Sequence, residues 1–344
     1  MKKKVGIVFG GIGNENDISI KSAKSIINNI DKNKYDVFNI FIDKDNKWYE
    51  CENIDDNYEI INKNEITNII DDLKKYDIIF PILHGIFGED GKIQSLLELF
   101  KIPFVGCNSV CSSIGMDKEF TKILLSNSGI LQTKYVCLKK KKDEYIYVDE
   151  KLNEISSELK NICNIINSKL SYPLFIKPCN SGSSIGINYA NNYNELVKYI
   201  EEASLYDDKI IIEENINGRE VECGIIGNDE LLISSIGEIK SNNCFYSYDE
   251  KYKKNDFECV IPSTIDYEIS KEIKRLSKKI YKLLGCKGLS RLDFFVEDKT
   301  NKIYFNEINT MPGFTDNSMF PRLFEDIKYP ELIDKLLSLS LKNS

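Results

Sequence analysis

Two segments near the C-terminal end place charged and amide side chains at alternate positions. Arg291-Leu-Asp293 lies in one segment, and Glu307-Ile-Asn309 lies in the other, just before a turn at Gly313. In a β-strand, residues i and i+2 point the same way about 6.5 Å apart, so each pair shares a face. Hard oxygen ligands with an arginine beside them suit a magnesium-bound triphosphate whose phosphate passes to a carboxylate. The alternative is a hairpin whose polar side chains face water.

A second candidate site begins with a lysine at the end of a predicted strand. Lys177 is followed by a Gly/Ser loop over residues 178–186. A fixed positive charge with backbone N–H and hydroxyl donors is what a triphosphate requires, although a plain hairpin loop has the same pattern. Lys118, after Asp117 at a predicted helix start, supplies either a second phosphate contact or an ordinary surface charge. The sequence contains no G-x-x-x-x-G-K-[ST] motif, so a P-loop is excluded.

Two other segments carry features of a nucleotide enzyme. The strand Ile210–Glu213 runs into a hinge at Ile216 that could pack an adenine, and Glu220 could reach the ribose. The segment from Phe245 to residue 252 is aromatic and charged, which is typical of a mobile surface loop and is compatible with a lid.

Two glycine-rich loops follow strands in the first third of the chain. The loop at 10–15 lacks the third glycine of a dinucleotide fingerprint, because Asn16 stands in its place. Glu15 in this loop could hold a cationic amine or simply be solvated. The second loop starts at His84 and ends at Gly91, at the C-terminal end of a strand, where α/β proteins place ligands. It could also be a turn without a ligand.

Composition limits the class of protein. The 344 residues include 46 basic and 54 acidic ones, a net charge of −8, which gives no overall attraction to nucleic acid or to an anionic membrane. Ten cysteines without a C-x-x-C pair, and a single histidine, do not form a zinc pattern and are typical of reduced thiols in a cytosolic protein. No apolar stretch of about 18 residues is present.

Hydrophobic periodicity predicts an α/β protein. Strands are expected at 4–10, 35–41, 77–83, 103–105, 174–177, 186–189, 210–213, 221–226, 231–238, 257–261, 290–296 and 303–309. Helices are expected at 19–30, 93–100, 117–128, 194–203 and 269–284, with an amphipathic stretch from Leu152 to Ile166. The lysine run at 139–142 is expected to be a solvated loop.

In this order, the motifs resemble those of the D-alanine:D-alanine ligases over nearly the whole chain, from Gly10 to the turn at 312–315. The resemblance rests on His84-Gly85…Gly88-Glu-Asp-Gly91, Met116-Asp-Lys118, Lys177-Pro…Gly182-Ser-Ser, Lys251-Tyr252, Arg291-x-Asp293 and Glu307-x-Asn309-Thr-x-Pro-Gly313. It implies a three-domain ATP-grasp fold whose N-terminal domain is Rossmann-like. Residues 1–117 would hold the first D-amino acid, 118–214 the nucleotide loop, and 215–344 the metal site, oxyanion hole and lid.

The resemblance also implies roles for single residues. ATP would be held by Lys118, Lys177, Ser183, Ser184, Glu213, Ile216 and Glu220, and two Mg²⁺ or Mn²⁺ ions by Asp293, Glu307 and Asn309. Glu15 would take the ammonium group of the first D-alanine with help from His84, and would join Ser183 and Tyr252 in a bridge that closes the lid. Arg291 and the Gly313 N–H would form an oxyanion hole, while Lys251, Ser318 and Met319 would contact substrate.

The implied reaction is ATP-dependent joining of two D-alanines through an acyl phosphate, for peptidoglycan synthesis in the cytoplasm. Small molecules are the expected partners, with no nucleic acid or membrane, and a homodimer is expected. A ligase that takes D-serine second stays open, although Tyr246, Tyr248 and Met319 favour the D-alanine type. Tyr252 argues against D-lactate, because enzymes of that type carry histidine there. An inactive ATP-binding regulator is disfavoured by the retained Arg291 and metal ligands.

Overall fold

Three β-sheets with flanking helices build the protein in a computed structural model, which describes residues 2–149, 151–182, 185–241 and 257–341. The first sheet has the order β4-β3-β2-β1-β5. Its strands are β1 Lys3–Gly10, β2 Tyr35–Ile42, β3 Trp48–Ile54, β4 Ile60–Glu65 and β5 Ile78–Pro81. The helices of this region are α1 Asn16–Asn29, α2 Ile69–Leu73, α3 Lys92–Leu99 and α4 Ser109–Met116.

The centre of the first sheet is parallel, since β1 pairs in parallel with both β2 and β5. The apolar run of β1 is buried on both faces because helices cover the sheet on each side. At the end of β1 the chain turns through Gly10, whose φ is +94°, and a Cβ there would lie 2.2 Å from the Ile42 carbonyl oxygen. Only glycine fits this turn, which leads directly into α1.

The second sheet is antiparallel and has the order β10-β9-β11-β6-β7-β8. Its strands are β6 Tyr135–Lys141, β7 Glu144–Val148, β8 Glu154–Ser157, β9 Leu174–Pro178, β10 Asn188–Ala190 and β11 Lys209–Glu214. Its helices are α5 Lys118–Leu125, α6 Leu159–Lys169 and α7 Tyr193–Ala203, with a 3-10 turn at Ser126–Ser128. The amphipathic faces of α6 and α7 pack on one side of this sheet and form its core.

The third sheet is also antiparallel, with the order β14-β13-β12-β15-β16. Its strands are β12 Gly218–Gly227, β13 Leu231–Ser241, β14 Phe257–Val260, β15 Leu289–Glu297 and β16 Ile303–Asn309. Helix α8 Tyr267–Leu283 packs on it, whereas α9 Met319–Leu323 and α10 Tyr329–Leu341 share a core with β1, β5 and α1 of the first sheet. The last helices therefore join the first and third sheets.

Most predicted elements are present with ends shifted by one to three residues, and Asp117 caps α5 by accepting a hydrogen bond from the Phe120 N–H at 3.0 Å. The solvated loop predicted at 139–142 is wrong. Residues 139–141 finish strand β6 and pair with β7, because alternate lysines can point to water while the backbone stays in the sheet. The strand expected at 103–105 is reduced to one bridge between Ile79 and Phe104.

The division at 117 and 214 stays a prediction, although each of the three sheets lies within one of the predicted segments. Within the described ranges, no helix has both the length and the apolar character needed to cross a membrane.

Candidate functional site

The β15–β16 hairpin brings together the four polar side chains singled out in the sequence. Arg291 is opposite Asn309, and Asp293 is opposite Glu307. The Asn309 amide donates a hydrogen bond to Asp293 Oδ2 at 2.9 Å, which leaves its carbonyl oxygen as an acceptor. The structure therefore forms the shared face that the alternation predicts.

Arg291 lies between two carboxylates. Its guanidinium donates two 2.8 Å hydrogen bonds to Asp293, and its Nε also lies 2.9 Å from Glu222 Oε2 on the neighbouring strand β12. Burial disfavours the charged form, but the charges of Asp293 and Glu222 outweigh it and hold the pKa of Arg291 well above its usual range. The guanidinium therefore stays charged and in one place.

Lys118 connects the second sheet to this hairpin. It is the first residue of α5, and its ammonium donates to the Ser181 carbonyl at 2.8 Å and lies 3.5 Å from Glu307 Oε2. The side chain is only 10% exposed. One lysine thus contacts both the Gly/Ser loop and the predicted metal-binding carboxylate, so the surface-charge alternative is wrong.

Lys177 and Glu213 form a buried charge cluster on adjacent strands β9 and β11. Glu213 lies 2.6 Å from the Lys177 ammonium and 2.7 Å from that of Lys122, and it accepts a hydrogen bond from Thr133 at 3.0 Å. Burial raises the pKa of Glu213, but the two lysines outweigh burial and hold this pKa well below its usual range. The cluster fixes Lys177 at the start of the Gly/Ser loop.

The other predicted adenosine contacts lie where β11 leads into β12. Ile216 is half-buried in the connection between the two strands, and Glu220 is half-buried on β12. The carboxylate of Glu213 is directed at the two lysines. A contact from this residue to adenine would therefore come from its backbone.

Glu15 lies where three loops meet. It is the N-cap residue of α1, yet its carboxylate makes no cap hydrogen bond. A Cβ atom added to Gly85 would lie 1.9 Å from Glu15 Oε2, and one added to Gly182 would lie 3.3 Å from the same oxygen. The backbones of the 84–91 loop and of the Gly/Ser loop therefore approach this buried carboxylate closely, and Gly85, with a φ of +66°, leaves no room for a Cβ atom. The solvated-acid alternative is wrong.

His84 is buried and fixed from both sides. Its Nδ1 lies 3.1 Å from the Met311 carbonyl oxygen and its Nε2 lies 3.1 Å from the Ser22 hydroxyl. Burial lowers the pKa of His84 to about 4, so the ring is neutral at physiological pH. Because a carbonyl only accepts, Nδ1 carries the proton and Nε2 accepts from Ser22. The ring therefore holds the Met311 turn rather than supplying a charge.

Gly313 and Ser318 lie together after β16. A Cβ on Gly313 would lie 3.4 Å from Ser318 Oγ, which accepts a hydrogen bond from the Thr315 N–H at 3.0 Å. The Met319 side chain packs in the core shared by the first and third sheets, so only its backbone could face a substrate. The predicted residues Ser183, Ser184, Tyr246, Tyr248, Lys251 and Tyr252 lie outside the described residues.

Comparisons with known proteins identify the family. Residues 4–107 match the model for the D-ala D-ala ligase N-terminus, and residues 124–338 match that for the D-ala D-ala ligase C-terminus. The chain belongs to the D-alanine–D-alanine ligase family. The D-alanine–D-alanine ligase of Caldicellulosiruptor bescii is 44% identical over 362 residues, covering 100% of this chain and 96% of the relative. D-alanine–D-alanine ligase B of Clostridium tetani is 43% identical, covering 100% and 95%.

Solved structures of the family share this fold. VanG D-Ala:D-Ser ligase from Enterococcus faecalis has a TM-score of 0.82 at 35% identity, covering 99% of this chain and 100% of that one. The D-alanine–D-alanine ligase from Bacillus anthracis complexed with ATP has a TM-score of 0.77 at 27% identity, covering 99% and 98%. The predicted α/β ATP-grasp fold with a Rossmann-like N-terminal part is therefore confirmed.

Three further charged residues at the site carry no clear signal in the sequence. Glu222 pairs with Arg291, and its position two residues after Glu220 on one strand is the pattern that could have predicted it. Lys122 follows Lys118 by one helical turn and reaches Glu213. Burial and the charge of Glu15 raise the pKa of Glu89 to about 8, while its carboxyl accepts from the Gly85 N–H at 2.8 Å.

Proposed function

We propose that this protein is a D-alanine:D-alanine ligase that joins two D-alanines, with ATP converted to ADP and phosphate. The observation that carries the proposal is that residues from all three parts of the fold lie close together at one site. Glu15 comes from the first sheet's loop, Lys118 and Lys177 from the second sheet, and Arg291 with its carboxylates from the third. The reaction needs a carboxylate to bind the substrate ammonium, cations to bind the phosphates, and a fixed guanidinium to stabilise the oxyanion.

In the first step, the carboxylate of one D-alanine attacks the γ-phosphate and forms an acyl phosphate as ADP leaves. Glu15 binds the substrate ammonium, while His84 and Glu89 hold the surrounding loops. Lys118 and Lys177 neutralise the phosphates. The adenosine lies along Glu213, Ile216 and Glu220. The reacting groups are thereby held together, which removes much of the entropic barrier.

Two magnesium or manganese ions would be held by Asp293, Glu307 and Asn309. The donor set fits, because two carboxylates and an amide carbonyl are hard oxygen ligands grouped on one hairpin face. When bound, the ions withdraw negative charge from the β- and γ-phosphates. The residues around them keep Asp293 oriented through Arg291 and Asn309.

In the second step, the free amine of another D-alanine attacks the acyl carbon and phosphate leaves with the former carboxylate oxygen. Arg291 and the Gly313 N–H stabilise the oxyanion of the tetrahedral intermediate. Ser318 and the Met319 N–H bind the carboxylate of this second substrate. Glu15, Ser183 and Tyr252 would form the bridge that closes the site against water, which protects the acyl phosphate from hydrolysis. Ser184 would lie over the ATP phosphates, and Lys251 would contact substrate.

The test is mass spectrometry of the products formed from ATP and equimolar D-alanine, D-serine and D-lactate. We expect D-alanyl-D-alanine as the main product, together with D-alanine-dependent phosphate release. The alternative stays a ligase that takes D-serine as second substrate, and a D-Ala:D-Ser ligase, VanG, is among the similar solved structures. D-alanyl-D-serine as the main product would select that alternative, and absence of any dipeptide would refute ligase activity.

We further propose that the enzyme works in the cytoplasm as a homodimer on peptidoglycan precursors, with no nucleic-acid or membrane partner. The family resemblance supports this assignment. Light scattering of the purified protein should give twice the chain mass of 39.6 kDa, and a monomer mass would contradict the dimer.

A further inference from the structure

Three cysteines that are distant in sequence meet in the interior, away from the residues assigned to the reaction. The ligand atoms of Cys107, Cys111 and Cys286 all lie within 4.8 Å of one another, and Cys111 Sγ is 3.1 Å from Cys286 Sγ. All three are buried, with exposures between 0 and 5%. In the described part of the chain they are the one group of three Cys, His, Asp or Glu residues this close together.

Each cysteine comes from a different local structure. Cys107 follows the strand-like bridge at Phe104, and Cys111 lies in the first turn of α4, where its N–H donates to the Asn108 cap at 2.8 Å. Cys286 follows α8, after the left-handed turn at Gly285. The sequence pattern shows no zinc motif because the third sulfur is 175 residues from the second.

A fourth group completes the cluster. The Ser290 hydroxyl is fully buried and lies 3.3 Å from Cys107 Sγ. It donates its proton to the Leu289 carbonyl at 2.7 Å, so its lone pairs are free to face the sulfurs. Three sulfurs and one oxygen match the number of ligands in a closed tetrahedral site.

We propose that Cys107, Cys111 and Cys286 form a three-thiolate site for a thiophilic d¹⁰ cation of the Zn²⁺ class, with Ser290 as fourth ligand. Zinc with sulfur at about 2.3 Å sets its sulfurs about 3.8 Å apart, a spacing that the cluster reaches by small side-chain rotations. Mg²⁺ is excluded as the occupant because it requires oxygen ligands. Hydrogen bonds with Cys107 and Cys286, together with burial, raise the pKa of Cys111 well above its usual range, so a bound cation would have to displace the thiol proton.

The site would join the first and third sheets. Beside it the two backbones already touch, since a Cβ on Gly288 would lie 2.9 Å from the Gly106 nitrogen. Further along α4, Gly115 packs against Ile308 and Thr310, which flank Asn309 on β16. A bound cation would therefore hold α4 in place next to the strand that carries the catalytic metal ligands.

The experiment uses the full-length protein, stripped of metal with a chelator and kept under a phosphine reductant with excess Mg²⁺ to occupy the oxygen site. Titration with Cd²⁺ should give a thiolate-to-metal charge-transfer absorbance that saturates at one ion per chain. Cys111→Ser and Cys286→Ser should lose this absorbance. Cys163→Ser is the matched control, because Cys163 is equally buried but lies in the core of the second sheet.

A second measurement does not depend on whether the variants fold. X-ray absorption of the zinc-loaded wild-type protein should show three sulfur neighbours at about 2.3 Å and one lighter ligand. Zinc should also raise the thermal unfolding midpoint of the wild-type protein and of the Cys163 variant. The proposal is overturned if reduced wild-type protein retains no Cd²⁺ or Zn²⁺, or if the absorbance survives in both cluster variants. A Cys111–Cys286 disulfide in oxidised protein, with no metal retained after reduction, would also overturn it.

Discussion

Replacing Arg291 with alanine tests the proposed oxyanion role and the structure around it at the same time. The guanidinium donates two hydrogen bonds to Asp293 and pairs with Glu222, and both carboxylates are only 3% exposed. Without Arg291, two buried carboxylates face each other across β12 and β15 without their shared cation. We therefore expect a loss of stability as well as a loss of activity.

The two losses have different magnitudes and origins. Leaving a buried ion pair without one partner costs about 3–5 kcal/mol of folding free energy. Removing one donor from an oxyanion hole lowers kcat by roughly 100-fold, equivalent to about 2.7 kcal/mol of transition-state stabilisation. Arg291→Ala should show both effects, measured by denaturant unfolding and by D-alanine-dependent phosphate release.

Two further variants separate these effects. Adding Glu222→Gln to Arg291→Ala removes one of the two buried charges that have lost their cation, so stability should recover in part while kcat stays low. Arg219→Ala is the matched control, because Arg219 makes a similar paired contact with the buried Glu238 elsewhere in the same sheet. It should lower stability without changing kcat.

Several results would refute this reasoning. If the Glu222→Gln change restores kcat together with stability, the guanidinium acts only as a structural counter-ion. If Arg291→Ala raises KM for ATP and leaves kcat unchanged, the side chain contacts the nucleotide instead. Equal kcat losses in the Arg291 and Arg219 variants would show that any weakening of the third sheet reduces turnover.

Three other perturbations test separate parts of the site. Glu307→Gln should abolish phosphate release without unfolding the protein, because it removes an anionic metal ligand; near wild-type release at saturating Mg²⁺ would contradict this role. The pKa of Glu89 is about 8 in the folded protein, against an ordinary value of 4.5, so the folded state favours the protonated carboxyl. The folding free energy therefore includes the full contribution of Glu89 below pH 4.5 and loses it as the pH rises to about 8. The stability difference between wild type and Glu89→Gln should change across this window and be constant above it. Ser22→Ala should lower the free energy of unfolding by about 1–3 kcal/mol, because it leaves the His84 Nε2 without a hydrogen-bond donor. Ser112→Ala is the control and should leave the free energy of unfolding unchanged, because the Ser112 hydroxyl has no partner among the described residues.

The geometry of the β15–β16 hairpin could be predicted because its signal is local. Alternation on two short strands places Arg291 with Asp293 and Glu307 with Asn309, and the structure needs only to pair the strands. The same holds for α5, where Asp117 caps the helix that starts with Lys118. In each case the chemistry depends on neighbours within a few residues, which the sequence displays directly.

Features that depend on distant contacts could not be predicted in this way. Strands β3, β4, β7 and β8 carry polar residues on an open face. Their hydrophobic periodicity is therefore too weak to predict a strand. The lysine run at the end of β6 has the pattern of a solvated loop for the same reason. Glu89 and Lys122 have ordinary sequence surroundings, and their roles arise from Glu15 and Glu213, which are 74 and 91 residues away in the chain.

The distribution of charge explains why nucleotide and metal would have to arrive together. Each cation at the site already faces a carboxylate: Lys118 faces Glu307, Lys177 shares Glu213 with Lys122, and Arg291 lies between Asp293 and Glu222. A bare triphosphate would therefore meet lysines whose charge is largely offset, with carboxylates close by. Metal ions held by Asp293 and Glu307 would neutralise these acids and so free Lys118 to pair with the phosphates. The protein has a net charge of −8, so the electrostatic part of the affinity for ATP would come from this local exchange rather than from any long-range attraction.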